Sequence, residues 1–151
     1  MIGTLALTVL LFVSTDCPVS NRYAPEIARL HAEFVRLGLH FRLVYPNPLD
    51  TDAQIRKHLQ AYGLPAIAER DPGHQLVRLA GATITPEAAV FDASGRLVYR
   101  GRIDDRFVEL GRERPAATRH DLREALTALA AGRSIEPART QAVGCYIADM
   151  R

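Results

Sequence analysis

The stretch that most limits how this chain can fold is an apolar run, Leu5–Val13, that leads straight into Cys17-Pro-Val-Ser-Asn21. Nearly every residue of Leu-Ala-Leu-Thr-Val-Leu-Leu-Phe-Val is apolar, the signature of a central strand covered on both faces. A helical pattern follows from about Asn21 to Leu37, with Ile27, Leu30, Phe34 and Leu37 spaced three or four apart and Gly38 as a stop. Cys17 is therefore expected where a strand ends and a helix begins. The first backbone N–H groups of a helix have no intrahelical partner and carry partial positive charge. Both favour a thiolate, which is the nucleophile and the metal-binding form of cysteine. A free thiol with a pKa near 8.5 is only about 3% thiolate at pH 7, so such help matters.

The rest of the chain alternates in the same way. Leu39–Tyr45 reads as a second strand ended by Pro46 and Pro48. Asp50-Thr51-Asp52 is a helix start, followed by Ile55, Leu59 and Tyr62 on one face and a stop at Gly63. A short extended piece over Leu64–Ala68 and a short helix over Gly73–Gly81 come next. Glu87–Asp92 and Arg96–Arg102 read as strands joined by Ala93-Ser94-Gly95, a hairpin signal. The polar loop Asp104–Ala117 is long enough to be functional. A last helix is expected over Thr118–Ala131, capped near Thr118. Pro25 is compatible with the first helix only in its first turn. The order argues an α/β domain with a mixed central sheet flanked by helices. We place the domain at residues 1–132 and a tail without periodicity, able to pack back near the active site, at 133–151.

At 151 residues, 48% hydrophobic and 24% charged, the chain suits one domain with a sizeable core. A net charge of +2, with the basic residues scattered along the chain, gives no nucleic-acid signature. No run is long enough to span a membrane. The apolar start lacks the basic flank of a signal peptide, so it reads as a buried strand. A chain that opens on a core strand is expected to be a piece of a longer protein.

The two cysteines, Cys17 and Cys145, are compatible with a redox pair, a two-thiolate metal site, or two unrelated thiols. Cys145 lies in the tail, as a resolving thiol folded back on Cys17 or as an incidental one. Ser20 suits a helix N-cap or a thiolate-stabilising hydroxyl. The five histidines show no metal-ligand spacing and read as surface residues. Glu87 is a proton-shuttle candidate or, with the better fit, a solvated strand-end carboxylate. Asp104 and Asp105 suit a loop-structuring role, with Arg100, Arg102 and Arg106 as partners. No motif calls for a cofactor.

Two segments carry a resemblance. Thr15-Asp16-Cys17-Pro18-Val19-Ser20 resembles the Cys-x-x-Cys segment of the thioredoxin-like superfamily. Thr85-Pro86-Glu87 before a strand–turn–strand resembles its cis-proline segment. Cys17-Pro-Val-Ser-Asn-Arg-Tyr-Ala-Pro-Glu and Tyr99-Arg-Gly-Arg-Ile-Asp-Asp are similar to a bacterial branch of redoxin or peroxiredoxin-like (AhpC/TSA-type) domains, often found in exported proteins. The resemblance implies a thioredoxin-like fold and a thiol–disulfide oxidoreductase. Cys17 would be its nucleophile, with Ser20 and Cys145 in the catalytic set, and Pro18, Thr85, Pro86 and Glu87 facing a protein-thiol or peroxide substrate outside the cytoplasm. Its rivals are a Cu(I) module through Cys17 and Cys145, and a docking domain without redox activity. Three features depart from the family pattern. Ser20 replaces the second cysteine, Asp16 replaces the usual tryptophan, and Thr15 lies two residues before Cys17 where the peroxiredoxin pattern has three.

Overall fold

The computed structural model describes residues 7–65 and 67–147. Its elements are β1 (Thr8–Phe12), α1 (Pro18–Arg22), α2 (Ala24–Val35), β2 (His40–Tyr45), α3 (Asp52–Tyr62), β3 (Ala68–Arg70) and α4 (Gln75–Ala80). There follow β4 (Ile84–Thr85), β5 (Glu87–Phe91), β6 (Leu97–Gly101), β7 (Phe107–Glu109), β8 (Arg112–Glu113), α5 (Asp121–Ala130) and β9 (Cys145–Tyr146). The main sheet has the order β3-β2-β1-β5-β6. β1 pairs parallel to β2 and antiparallel to β5, so the sheet is mixed and β1 is its centre. The fold is thioredoxin-like. Leu5 and Ala6, the start of the expected first strand, lie outside the described residues.

β1 is apolar at every core position because both faces of the sheet are covered. Val9, Leu11 and Val13 point into one cluster with Ile27, Leu30, Phe34, Leu122 and Leu126. Leu10 and Phe12 point the other way, into a cluster with Val44, Val77, Ala89 and Ile147. This is the two-residue alternation of a strand, with an apolar partner waiting on each side.

The expected single helix after Cys17 is two helices. Pro25 has no N–H, and its ring would collide with the carbonyl of residue 21 in a continuous helix. The chain breaks at Tyr23, and Pro25 falls in the first turn of α2. α1 starts at Pro18, three residues earlier than the spacing predicts, and Leu37 is 60% exposed beyond the end of α2. Further on, Thr51 and Gln54 form a reciprocal capping box for α3 and left-handed Gly63 ends it. His58 takes the inward place with Ile55, while Tyr62 is exposed. The extended piece expected over Leu64–Ala68 lies instead at β3, paired parallel to β2. The loop Asp104–Ala117 contains the β7–β8 hairpin.

α5 starts at Asp121, not Thr118. Asp105 explains the delay, because its buried carboxylate accepts hydrogen bonds from the backbone N–H groups of Thr118 and Arg119 and from the Thr118 hydroxyl. Burial pushes the Asp105 pKa up, but these bonds together outweigh it and hold the group below the usual carboxylate range. Asp104 accepts from the Tyr23 hydroxyl and so ties the same turn to α1. The two carboxylates structure the loop, as expected, but their side-chain partners differ. Arg114 lies 3.7 Å from Asp105, whereas Arg102 pairs with Asp121 and Arg106 with Glu113.

Two histidines are buried, against expectation. His74 bonds the Pro46 carbonyl, and His58 bridges Tyr45 on β2 and Asn21 on α1. Asn21 donates through Nδ2 to the Thr15 carbonyl, so its Oδ1 is the acceptor for His58 Nε2–H, and Tyr45 then donates to His58 Nδ1. Every polar atom of a neutral His58 is thus satisfied. Burial lowers the His58 pKa, with the nearby Asp50 charge opposing.

Two outcomes follow from these contacts. Asp105→Ala is expected to lower stability by about 2–4 kcal/mol in urea unfolding, and Thr118→Ala by about 1. His58 has a folded pKa below its unfolded value, so its neutral folded form loses stability as pH falls from about 6.5 toward the folded value, with uptake of up to about one proton on unfolding. A His58→Gln variant is expected to show a flatter stability profile between about pH 7 and 5, measured by urea unfolding at each pH.

Candidate functional site

Cys17 is the N-cap of α1, in extended backbone with φ −87° and ψ 113°. Pro18 occupies the first helical position, where a missing N–H removes nothing from the helix. The Cys17 sulfur accepts from the backbone N–H of Ser20 at 3.5 Å, and it lies 3.3 Å from the Thr85 carbonyl oxygen. The first contact favours a thiolate, and the second favours a thiol that can donate to it. Asp50 fixes the approach to the cysteine, since its buried carboxylate accepts from the Thr15 hydroxyl at 2.6 Å. The sequence placed Asp50 at the start of α3. The structure gives that cap to Thr51 and turns Asp50 toward the Cys17 loop.

The tail returns to this site along a defined path. Thr140 and Arg100 join residues 138–140 to β6. The Arg100 N–H donates to the Ala138 carbonyl at 3.0 Å, the Thr140 N–H to the Arg100 carbonyl at 3.1 Å, and the Arg102 N–H to the Thr140 hydroxyl at 3.0 Å. Gly101, at φ 153°, lies beneath Thr140, and a Cβ there would collide with it. β9 then pairs antiparallel with β4, Thr85 opposite Cys145 and Ile84 opposite Tyr146. The Ile147 N–H extends the ladder to the Thr83 carbonyl at 2.9 Å. This register delivers Cys145 to Cys17, and the two form a disulfide across a sequence separation of 128, with Cα atoms 6.1 Å apart. That separation is normal for the bond. Cys17 is 1% exposed and Cys145 half-buried.

The remaining predicted residues divide. Thr85 faces Cys145, and its peptide bond to Pro86 is cis. Pro18 is exposed beside the cysteine. Ser20 does not cap the helix: its backbone N–H reaches the sulfur, while its hydroxyl oxygen accepts from the Ser14 N–H at 3.4 Å. Glu87 is not solvated. It is 6% exposed and accepts from the N–H groups of Thr83 and Ile84, with the Arg100 guanidinium 3.9 Å away. Held by two backbone donors, it shapes the β4 turn and is badly placed to shuttle protons. Sequence reasoning missed Gly144 and Thr140. A glycine directly before a cysteine is a usable signal for close backbone approach. Thr140 carried no such signal.

Two clefts reach the disulfide. A cleft of about 230 Å³ is lined by Ser14, Asp16, Cys17, Pro46, Thr85 and Cys145. A larger one, about 680 Å³, touches Cys145 and is walled by Pro18, Val19, Tyr62, Phe107 and Leu110. Among the described residues no group of three or more His, Cys, Asp and Glu side chains is placed to hold a metal ion, and no helix is long and apolar enough to cross a membrane.

Comparison with solved structures places the chain among thioredoxin-like folds. It is similar to an uncharacterized conserved protein from Geobacillus kaustophilus, with 28% identity and a TM-score of 0.80 over 94% of this chain and 76% of the other. A hypothetical protein from Sinorhizobium meliloti matches at 24% identity and a TM-score of 0.81, over 95% and 80%. A secreted Mycobacterium tuberculosis disulfide oxidoreductase homologous to E. coli DsbE matches at 17% identity and a TM-score of 0.57, over 82% and 81%. Comparison with curated proteins gave no match. A family model, AhpC/TSA, matches residues 4–100. The matched stretch is well over half of the chain and takes in both Cys17 and the Thr85–Pro86 turn, and the chain therefore belongs to the AhpC/TSA family.

Proposed function

We propose that this protein is a thiol–disulfide oxidoreductase that alternates between the Cys17–Cys145 disulfide and the dithiol, exchanging with cysteines of other proteins. The observation that carries this reading is the disulfide itself. It joins a cysteine at a helix N-cap, next to a cis-proline turn, to a second thiol delivered by a strand from the far end of the chain. Ser20 is no resolving residue, so Cys145 takes that role. Cys17 attacks a target disulfide and forms a mixed disulfide, with the Ser20 N–H stabilising its sulfur as a thiolate. Cys145 then attacks Cys17 and releases the target. Pro18 is exposed beside Cys17 and faces the target, Thr85 and Pro86 are buried next to the disulfide and meet the target only when the tail is displaced, and Glu87 holds that turn in shape.

In the oxidised form the disulfide joins the two thiols that a Cu(I) module would need, which favours thiol exchange over metal binding in that state. A docking domain without redox activity would keep this bond as a structural link, and the rate of the Cys17→Ser variant separates the two readings. A stable disulfide fits an oxidising compartment outside the cytoplasm, in keeping with the secreted similar protein from Mycobacterium tuberculosis.

Thiol counting tests the pairing. Air-oxidised, denatured protein is expected to take no alkyl label, and reduced protein to take two. In dithiothreitol-driven reduction of a protein disulfide, Cys17→Ser is expected to lose the catalysed rate by about 100-fold or more. Cys145→Ser is expected to keep the first step and accumulate a mixed disulfide visible by mass. Full activity in Cys17→Ser overturns the proposal. Opening the disulfide, by reduction or by Cys145→Ser, is expected to lower stability by about 2–4 kcal/mol in urea unfolding, because the bond closes a very long loop.

A further inference from the structure

Besides Cys145, one residue lines both of the clefts that reach the disulfide, and it is Asp16. It directly precedes Cys17, is exposed, and stands where the family pattern has a tryptophan. Its carboxylate has a fixed place, because the hydroxyl of Ser14, itself buried, donates to Oδ1 at 2.7 Å. Among the described residues no arginine, lysine or histidine forms an ion pair with it. The other two charged side chains of the larger cleft, Arg22 and Glu113, pair with each other at 2.7 Å, and Arg106 meets Glu113 at 3.4 Å from outside the lining of that cleft. The smaller cleft is lined by no other charged side chain. Asp50, buried and bonded to the Thr15 hydroxyl, adds charge of the same sign to the cysteine loop. The mouth of the disulfide is thus negative on a chain whose net charge is +2.

We propose that Asp16 is a specificity-determining residue, which selects disulfides flanked by cationic side chains and turns away anionic ones. The inference rests on the oxidoreductase reading above and names the substrate class within it. In the exchange the Cys17 thiolate attacks one sulfur of the incoming disulfide. A bond forms between Cys17 Sγ and that sulfur, the incoming sulfur–sulfur bond breaks, and the second sulfur leaves as a thiolate that takes a proton from water. In the transition state one negative charge is spread over three sulfurs. Asp16 repels that charge. An ammonium or guanidinium on the incoming partner offsets the repulsion, and a carboxylate on the partner adds to it. Apolar walls, Pro46 and Ile147 in the smaller cleft and Phe107 and Leu110 in the larger, weaken the screening by water. Because Asp16 lines both clefts, a partner entering by either one passes the same charge. In such a half-solvated setting each unit of partner charge changes the rate by about threefold.

The test uses the full chain with Cys145→Ser, reduced, at pH 7, so that Cys17 reacts once and stops as a mixed disulfide. The probes are three small disulfides of similar length: cystamine, which is cationic, hydroxyethyl disulfide, which is neutral, and dithiodipropionate, which is anionic. Formation of the mixed disulfide is followed by intact mass, and each rate is divided by the rate of the same probe with dithiothreitol. Cystamine is expected to react about tenfold faster than dithiodipropionate on this scale, with the neutral probe between them, and high salt is expected to shrink the ratio. Asp16→Asn, which can still accept from the Ser14 hydroxyl, is expected to cut the ratio to about threefold or less, and Asp16→Lys to reverse the order. A changed Cys17 thiolate fraction moves all three rates alike, so the ratio reads the partner's charge alone. Equal normalised rates in the parent, or the same ratio in Asp16→Asn and Asp16→Lys, overturn the selectivity proposal. If Cys17 reacts with the three probes without preference, only that proposal falls. If Cys17 reacts with none of them, the oxidoreductase reading falls as well.

Discussion

The placement of Cys17 depends on β1 being buried on both faces. A strand covered on both sides cannot slip by one residue without moving Val9 and Leu11 out of one cluster and Leu10 and Phe12 out of the other. That fixes the register of β1 with β2 and β5, and with it the level at which the chain leaves the sheet. Val13 still bonds β2, Thr15 is held by Asp50, and Cys17 opens α1. The position of the sulfur is thus inherited from apolar packing several residues away. The polar link Thr15–Asn21–His58–Tyr45 then ties α1 back to β2, so the cysteine loop is held from both its ends.

A second constraint comes from the other end of the chain. The edge of β6 accepts residues 138–140, which steer the tail toward β4. The β4–β9 pairing is only two residues long, too short to be stable by itself in water. The disulfide and the buried Ile147 hold it in place. Under the proposed exchange such a strand is closed while oxidised and released when reduced, as a resolving Cys145 would require. The same sulfur–sulfur bond that records the chemistry therefore also closes the site.

Much of the fold could be read from apolar spacing and turn residues, because those are local. The both-sided burial of Leu10 and Leu11, the α3 start at Thr51, the stop at Gly63 and the hairpin through Gly95 all follow from neighbours within a few residues. The errors fell where a distant partner overrides the local pattern. Thr118 looked like a helix cap but is claimed by Asp105, thirteen residues back. Glu87 looked like a solvated strand end but turns back to the N–H groups of β4. His58 and His74 looked like surface residues because no ligand spacing marks them, yet each fills a buried polar gap between separate elements.

The sequence by itself determined that a cysteine would follow a central strand and precede a helix, that a strand would begin at Glu87 after Pro86, and that the domain would be α/β. Those depend on side-chain polarity and backbone preference over short stretches, which a linear reading can sum. The tertiary structure alone decided what Cys17 is joined to, because pairing Cys145 with it needs the tail to cross β6 and enter β4 in one register. A glycine that lets two backbones touch and a threonine that fastens one strand to another have meaning only once the partner strand is in place.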